Sequence, residues 1–416
     1  MSELRLTLRQ PAQVGDKARS DNVLGTQDFL PGTAVRGAFA AAWIARRGAP
    51  EPGSSGRAEF LRLFEGGVRY GALLLAGAQP VPLSVVAHRY ERTERCPETE
   101  YDRATTSDVP MRCPECGSPL EHPRTPPGNT PTVNRRTSVA IASSGVALRG
   151  QLVTRDVLAS GQSFSGTLIA SEPGLAGVLA DLGQVRIGGR RTTHGTADVH
   201  LDASAEPPTA ERRSDGSLII RLRSDGIFVD DYGRPTLDPN PADLETVLGC
   251  PARIAGRWAR WHTAGGWHIA SGLPKPVELT AAAGSTYLIE TSAPVADAAL
   301  AQLGQTGLGL RRHEGFGDLA PPPVLAPGLQ ARTAEAERQR KLTDRAFPLR
   351  GLQVRPEEWK ELLALLAAHI AGDQSATASL CRKVGQLDQR PAQALDEILG
   401  LAPGDAGYVL QELGRS

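Results

Sequence analysis

Apolar residues alternate with polar ones at the start of the chain, which predicts a half-buried strand over Leu4–Arg9. Apolar residues then recur at helical spacing, which predicts a helix over Ala34–Arg46. Thr33 precedes that helix and is predicted to cap it. Gly37 lies inside the helical pattern and indicates that another segment approaches closely there.

The same patterns predict the order of the remaining elements. Strands are predicted over Val68–Leu75, Pro82–Ala87, Thr137–Ile141, Val146–Thr154, Ser163–Ala170, Ala197–Leu201, Leu218–Leu222, Ile227–Val229, Arg253–Trp258, His268–Ser271 and Thr286–Glu290. Helices are predicted over Gly174–Leu182, Pro241–Leu248, Val295–Leu303, Pro356–Ile370, Ser375–Val384 and Ala392–Leu399. The fold class is therefore α+β, with two tandem ferredoxin-like (RRM-like) domains over 1–205 and 206–328. An insertion occupies 88–136, and a helical C-terminal region occupies 329–416.

A glycine-rich segment occurs twice. Leu182–Val199 reads LGQVRIGGRRTTHGTADV, and Leu303–Leu319 reads LGQTGLGLRRHEGFGDL. The two align with a single gap, after which Gly195 matches Gly315. A spacing of about 120 residues indicates two copies of one domain, each closing on the same loop.

Each glycine-rich loop also carries a pair of arginines, Arg190–Arg191 in the first copy and Arg311–Arg312 in the second. Closely spaced glycines allow a positive φ and let backbone N–H groups approach a partner. Guanidinium groups bind oxyanions. The two loops are therefore predicted to bind an anionic partner.

Three of the five cysteines lie close together in the predicted insertion. Cys113-Pro-Glu-Cys116-Gly has the spacing of a zinc knuckle, and Cys96 supplies a third thiolate. The fourth ligand is His122, His88 or water, and His122 is closest in sequence to the knuckle. The sequence predicts one structural zinc ion.

The formal net charge is +0, with 46 basic and 46 acidic residues. Binding to nucleic acid through bulk charge is therefore excluded, and any polyanion must meet a local patch. No apolar run approaches the roughly 20 residues that cross a bilayer. The protein is predicted to be cytoplasmic, with no membrane partner.

Two segments resemble signatures of the RAMP superfamily of CRISPR effector backbone proteins. Pro31–Gly37 (PGTAVRG) is similar to its first-helix signature, and Gly307–Gly317 (GLGLRRHEGFG) is similar to its glycine-rich loop. The resemblance covers about residues 1–320. Two loops and an early zinc-type insertion are most similar to the group-five subunit of type III-D effectors. The first loop has Thr196-Ala197 in place of the family's aromatic-glycine pair, which indicates a partly structural role for that copy.

The resemblance implies a non-catalytic subunit that binds guide RNA (crRNA) and caps its 5′ handle. The implied partners are the large signalling subunit, the backbone subunits and, in the assembled complex, target RNA. The residues implied to bind RNA are Arg36, Gly188, Gly189, Arg190, Arg191, Gly309, Arg311, Arg312, His313, Gly315, Phe316 and Gly317.

Three alternatives remain open. In a guide-processing ribonuclease, His313 or His194 would act as general acid or base. Target-RNA cleavage would need a loop aspartate, Asp21 or Asp28. The third alternative is a nucleotide- or sugar-binding enzyme, but the sequence has neither a Walker lysine nor the acidic partner of a Rossmann fold.

The run RWARWH ending at His262 either stacks on unpaired bases or places a tryptophan in the core.

Overall fold

The computed structural model describes residues 1–20, 23–89, 100–105, 109, 111–113, 117–123, 130–189, 193–202, 208–268, 271–323, 342, 349, 356–384, 389–401 and 403–414. The chain divides into two units, Met1–Val324 and Leu325–Ser416. Each unit is described by itself. Within the first unit, we call residues 1–202 the first half and residues 208–323 the second half.

The first half contains thirteen strands and three helices among its described residues. The strands are β1 (Ser2–Leu8), β2 (Gly15–Ser20), β3 (Val23–Thr26), β4 (Val68–Tyr70), β5 (Leu74–Leu75), β6 (Val85–His88), β7 (Tyr101–Asp102), β8 (Leu120–Glu121), β9 (Val133–Ile141), β10 (Ala147–Leu158), β11 (Ser163–Ala170), β12 (Gln184–Arg186) and β13 (Thr196–Asp202). The helices are α1 (Gly32–Arg47), α2 (Arg57–Phe64) and α3 (Pro173–Ala180).

The main sheet of the first half is antiparallel, with strand order β12-β13-β1-β11-β4 and β5 added on β11. Its long strands and the helices α1 and α3 follow the β-α-β-β-α-β order of a ferredoxin-like fold. The leucines of β1 that alternate along the sequence are 0% exposed, and they pack in one cluster with Phe39 and Trp43 of α1. The predicted alternation therefore marks the core face of the central strand.

The main elements of the second half run in the order β-α-β-β-α, with shorter strands and helices. Its strands are β14 (Glu211–Arg212), β15 (Leu218–Arg221), β16 (Phe228–Val229), β17 (Pro235–Thr236), β18 (Ala252–Trp258), β19 (Trp261–Ala264), β20 (Trp267–His268), β21 (Leu273–Pro274), β22 (Glu278–Ala281) and β23 (Thr286–Thr291); its helices are α4 (Pro241–Leu248) and α5 (Asp297–Thr306). The main sheet has the order β14-β15-β23-β18. A single bridge between Leu222 and Leu319 stands where the first half has its last strand.

Smaller sheets extend from the two main ones. The sheet β2-β3-β10-β9 includes a hairpin whose strand β9 is exposed along its whole length. The pairs β19-β22 and β20-β21 form a second ribbon, in which Trp261 and Trp267 are 47% and 61% exposed. Trp258 is half-buried. Of the two roles open to this segment, the core role is therefore wrong for Trp261.

Four predictions of local structure differ from the structure. Pro31, not Thr33, stands before α1, and no side chain caps the helix. A Cβ at Gly37 would meet nothing within 4 Å, so the predicted close approach there is wrong. The strand predicted over Val68–Leu75 is divided, because Gly71 packs against Thr167 and Asp318 between β4 and β5. Of the strand predicted over His268–Ser271, His268 is in a strand and Ser271 is in a turn, and the two residues between them lie outside the described residues.

The described part of the second unit is helical, with α6 (Pro356–Ile370), α7 (Gln374–Val384), α8 (Gln389–Leu399) and α9 (Pro403–Gly414). Leucines from these helices share one cluster, in which Leu366, Leu380 and Leu395 are at most 1% exposed. Across the described residues of both units, no helix combines the length and the apolar character needed to span a bilayer.

Candidate nucleic-acid interface

The two glycine-rich loops are closed by the same kind of backbone hydrogen bond. The N–H of Leu308 donates to the carbonyl of Gly317 at 3.0 Å, and the N–H of Ile187 donates to that of Gly195 at 2.9 Å. Both glycines have a positive φ, +68° at Gly317 and +83° at Gly195. A Cβ would lie 1.8 Å from the Leu308 oxygen in one loop and 2.0 Å from the Ile187 oxygen in the other. Neither position can accept a side chain.

The structural counterpart of Gly195 is therefore Gly317, and the sequence match of Gly195 with Gly315 is wrong. Seven positions separate Gly188 from Gly195, whereas eight separate Gly309 from Gly317. The first loop is thus one residue shorter, and the expected glycine is present in it. The sequence match placed its one-residue gap in the second loop, between Arg312 and Gly315, whereas the feature that the two loops share is the hydrogen bond that closes each of them.

The second loop is fixed to the first half of the unit. Arg69 of β4 forms a buried ion pair with Asp318, and its Nη1 donates to the carbonyl of Gln305 at 2.7 Å. At the start of α1, a Cβ on Gly32 would lie 2.1 Å from one carbonyl oxygen and 2.5 Å from that of Glu314. The N-terminus of α1 and the second loop therefore meet backbone to backbone, where only a glycine fits.

Arg311 is held inside the loop. Its Nη2 donates to Glu314 at 2.9 Å, its Nη1 donates to Glu278 at 3.3 Å, and its guanidinium carbon lies 5.1 Å from the ring centre of Phe316. It is the only non-glycine residue of the described chain with a positive φ, at 52°. Both the backbone and the side chain of Arg311 thus shape the loop.

Glu314 is the centre of this ion cluster and is 9% exposed. Burial alone would raise the pKa of its carboxyl group, but hydrogen bonds from Arg311 and from Lys275, at 3.0 Å, lower the pKa to about 2. The carboxylate is therefore charged throughout the physiological range, and two cations share its single negative charge. The loop has less positive charge to offer a ligand than its sequence indicates.

The outward side of the loop carries Arg312 and His313. Arg312 is exposed, and His313 is half-buried. Burial lowers the pKa of His313, as does the nearby charge of Arg36, while Glu314 raises it. Arg36, one of the residues implied to bind RNA, donates to Glu65 at 2.7 Å, so its guanidinium is paired with the protein's own carboxylate.

The first loop is less fully described. The N–H of Gly189 donates to the carbonyl of Gln13 at 2.8 Å, and a Cβ on Gly188 would lie 2.2 Å from the same oxygen. Arg190 and Arg191 lie outside the described residues. His194 stands at the position of Phe316, and its Nδ1 lies 2.8 Å from the hydroxyl of Thr193.

Beside the second loop is a cleft that continues into an open groove. The cleft is lined by the start of α1, by Glu314–Phe316 and by β19. The groove has a volume of about 660 Å³, and the residues that line it are Thr26–Phe29, Val133, Arg135, Asp156 and His262. His262 lines both, and its Nδ1 lies 2.6 Å from Oδ2 of Asp225. Sequence reasoning missed this pair, because the two residues are 37 positions apart and only β19 brings them together. Asp28 is exposed in the same groove, whereas Asp21 lies outside the described residues.

The predicted zinc site is described only in part, because Cys96 and Cys116 lie outside the described residues. Cys113 is buried, and the N–H of Gly117, a residue with a φ of +71°, donates to its carbonyl at 2.9 Å. Nδ1 of His122 lies 3.3 Å from the carbonyl of Val85, which leaves Nε2 as the metal-binding nitrogen. Burial lowers the pKa of His122, which favours the neutral ring that binds zinc. Among the described residues, no group of three potential metal ligands occurs, and the zinc ion stays a prediction.

Comparison with known proteins gives only distant matches. No family model and no curated protein matches the chain. Among solved structures, a chain of the type III-B Cmr-beta bound to cognate target RNA and AMPPnP is 11% identical, with coverage of 69% of this chain and 86% of that one and a TM-score of 0.42. A chain of the Csm3–Csm4 subcomplex of the type III-A CRISPR–Cas interference complex is 10% identical, with coverage of 72% and 96% and a TM-score of 0.35. The product of a Cas6-related gene from Pyrococcus furiosus is 9% identical, with coverage of 78% and 99% and a TM-score of 0.31. At these identities and TM-scores the likeness is distant and carries no argument about function.

Proposed function

We propose that this chain binds guide RNA as a subunit of a type III CRISPR effector complex of the RAMP superfamily, most like the group-five subunit of type III-D. Two tandem ferredoxin-like domains would present the second glycine-rich loop to the 5′ handle. The large signalling subunit, the backbone subunits and target RNA would be the partners in the assembled complex. The loops themselves would contribute binding and no catalysis.

The observation that supports this proposal is that two adjacent arginine side chains have different environments. Arg311 is neutralised inside the loop by Glu314 and Glu278, whereas Arg312 is exposed on the outer side. A rigid loop that presents one guanidinium beside a half-buried imidazole is suited to a phosphate of a single strand. The open groove beyond the cleft, with a volume of about 660 Å³, has room for the sugar and base that follow.

The test is a titration of labelled single-stranded RNA against the full chain at two salt concentrations. Arg312→Ala should weaken binding of every RNA sequence alike, because phosphate contacts position a strand and carry little base information. The slope of log affinity against log salt should fall by roughly 0.7, the value for one phosphate contact on a single strand. An unchanged affinity and slope would contradict the proposal.

Arg253→Ala is the matched control. Arg253 is an exposed arginine on the edge strand β18, and its side chain is 71% exposed in an ion pair with Glu290. Its loss changes the net charge by the same amount as Arg312→Ala. It should leave both the affinity and the salt slope as in the wild type.

A further inference from the structure

The ribbon formed by β19, β20, β21 and β22 has two faces of opposite character. Neighbouring residues of a strand point to opposite faces, so Trp261 and His262 lie on different faces of the ribbon. Thr263 shares the face of Trp261, and its cross-strand partner is Leu279. We call the face of Trp261 the outer face and the face of His262 the inner face.

Both faces continue towards the far end of the ribbon. A Cβ at Gly265 would lie 3.7 Å from Cγ2 of Val277, and a Cβ at Gly266 would lie 3.7 Å from Cδ of Lys275. By alternation Gly265 belongs to the outer face and Gly266 to the inner face, so Val277 is an outer residue and Lys275 an inner one. Trp267, two positions after Gly265, is a second tryptophan of the outer face.

The inner face is polar and holds the ribbon to the second glycine-rich loop. Lys275 donates to Glu314 at 3.0 Å, and Glu278 accepts from Arg311 at 3.3 Å. Thr280, on the same face, is buried. The inner face is therefore the side of the ribbon that packs against the rest of the second half.

The outer face is apolar and open to solvent. Four of its side chains are between 46% and 70% exposed, namely Trp261, Trp267, Val277 and Leu279. The cross-strand partners of the two tryptophans are Ala281 and Pro274, which are too small to cover an indole ring. An antiparallel sheet with one solvated face ordinarily turns its apolar face to the core. The reversed orientation of this ribbon indicates that another molecule covers its outer face.

The charge of the outer face favours a protein over RNA as that molecule. None of its described residues is charged, because Lys275 is an inner residue and Arg260, which precedes Trp261, lies on the inner side by the same alternation. A strand of RNA needs cations for its phosphates. Aromatic residues are enriched and charged residues depleted at the centre of protein interfaces, where tryptophan is prominent among the residues that dominate the binding energy.

The size of the outer face favours a different chain over a second copy of this one. The residues from Trp261 to Trp267 span about 20 Å at about 3.3 Å per residue, and two strands about 4.8 Å apart make the face roughly 10 Å wide. Its footprint of about 200 Å² is well below the roughly 800 Å² per partner of a stable interface. Two copies joined by this face alone would separate, whereas a chain that is also held by the same RNA gains from a high effective concentration.

We propose that the outer face docks an apolar surface of a second protein subunit that is bound to the same guide RNA. This proposal rests on RNA binding at the second loop. The ribbon couples the two events, because Lys275 and Glu278 of its inner face form ion pairs with the residues that shape the loop. The docked subunit would lie beside the strand that the loop binds.

The test is photo-cross-linking of the assembled complex, purified from its own cells through a tag on the full chain, with a benzophenone side chain in place of Val277. One other protein chain should be cross-linked, at a segment of apolar residues that mass spectrometry identifies. Trp267→Glu in this background should lower the yield about 10-fold or more, because an interface tryptophan carries a large share of the binding energy. Guide RNA bound per chain should be unchanged, because Trp267 lies outside the second loop.

Tyr232→Glu is the matched control, since Tyr232 is an aromatic residue outside the ribbon, is 83% exposed and gains the same charge. It should leave the cross-link yield unchanged. A cross-link to RNA or to a second copy of this chain, the absence of any cross-link, or a yield that Trp267→Glu does not lower would overturn this proposal and leave RNA binding standing. A wild-type chain purified without guide RNA would contradict both.

Discussion

At the scale of single residues, Arg311 and Arg312 are indistinguishable in the sequence, but in the structure one is ion-paired inside the loop and the other is exposed. What separates them is the positive φ of Arg311 and the presence of Glu278, which is 33 positions away and is brought close by β22. Sequence spacing located the glycines and the arginine pair, because both are local features. It could not show which guanidinium is neutralised, because the neutralising carboxylates depend on tertiary packing.

Glu314 makes this cluster testable by pH. Its pKa is about 2 in the folded protein against an ordinary value of 4.5, so its ionised form stabilises the fold above about pH 4.5. That contribution, about 3 kcal/mol, should be lost as the pH falls from about 4.5 towards 2. Glu314→Gln should remove this component of the pH dependence of the urea midpoint.

Glu172→Gln provides the comparison for that measurement. Glu172 pairs with Arg62 at 3.7 Å, and both side chains are 57% exposed, so the pair contributes little to stability. Its acid dependence should match that of the wild type. A Glu314→Gln protein that loses as much stability in acid as the wild type would show that the cluster does not stabilise the loop.

At the scale of elements, the glycines fall into two physical kinds. Gly317→Ala should lower the free energy of unfolding by at least about 2 kcal/mol, because the position combines a φ of +68° with a contact of 1.8 Å. Gly37→Ala should raise it by about 1 kcal/mol, because the position is helical with open space around it. Equal urea midpoints for the two variants would refute this assignment.

The same division explains which elements the sequence could predict. The bounds of α4 and α6 agree with prediction, since a proline at the first helical position and a continuous apolar face are local signals. The ribbons β19-β22 and β20-β21 were missed, because their strands are short and largely exposed and show no alternation of apolar and polar residues. The groove residue His262 was missed for that reason.

At the scale of the whole first unit, the insertion is connected to the second half by a buried charge. Asp102 of β7 accepts from Nη2 of Arg221 at 2.7 Å, and their side chains are 0% and 2% exposed. Losing Asp102 would leave Arg221 buried with Glu211 as its remaining carboxylate. The insertion is therefore coupled to the second half through this ion pair, and loss of its order should also affect the surroundings of Arg221.

We therefore propose one zinc ion per chain with Cys96, Cys113, Cys116 and His122 as ligands. Its removal should reduce order both in the insertion and in the second half. A structural zinc contributes on the order of 10 kcal/mol to a small fold. Cys113→Ser should abolish zinc in elemental analysis and increase hydrogen exchange in β15 as well as in the insertion. Zinc below about a fifth of an equivalent in the wild type would refute the site. Exchange confined to the insertion would refute the coupling through Asp102.

The attachment of the second loop to Arg69 and Gly32 has a consequence for how its motif should be interpreted. A peptide with the sequence of Leu303–Leu319 would contain every letter of the motif and still lack the guanidinium and the backbone carbonyls that give the loop its shape. Several of its glycines are required because neighbouring chain segments lie close to them, whether or not a ligand binds. In an unfamiliar chain, such a motif indicates first that two sheets pack against each other there. The side chains that remain exposed at this contact then determine what it can bind.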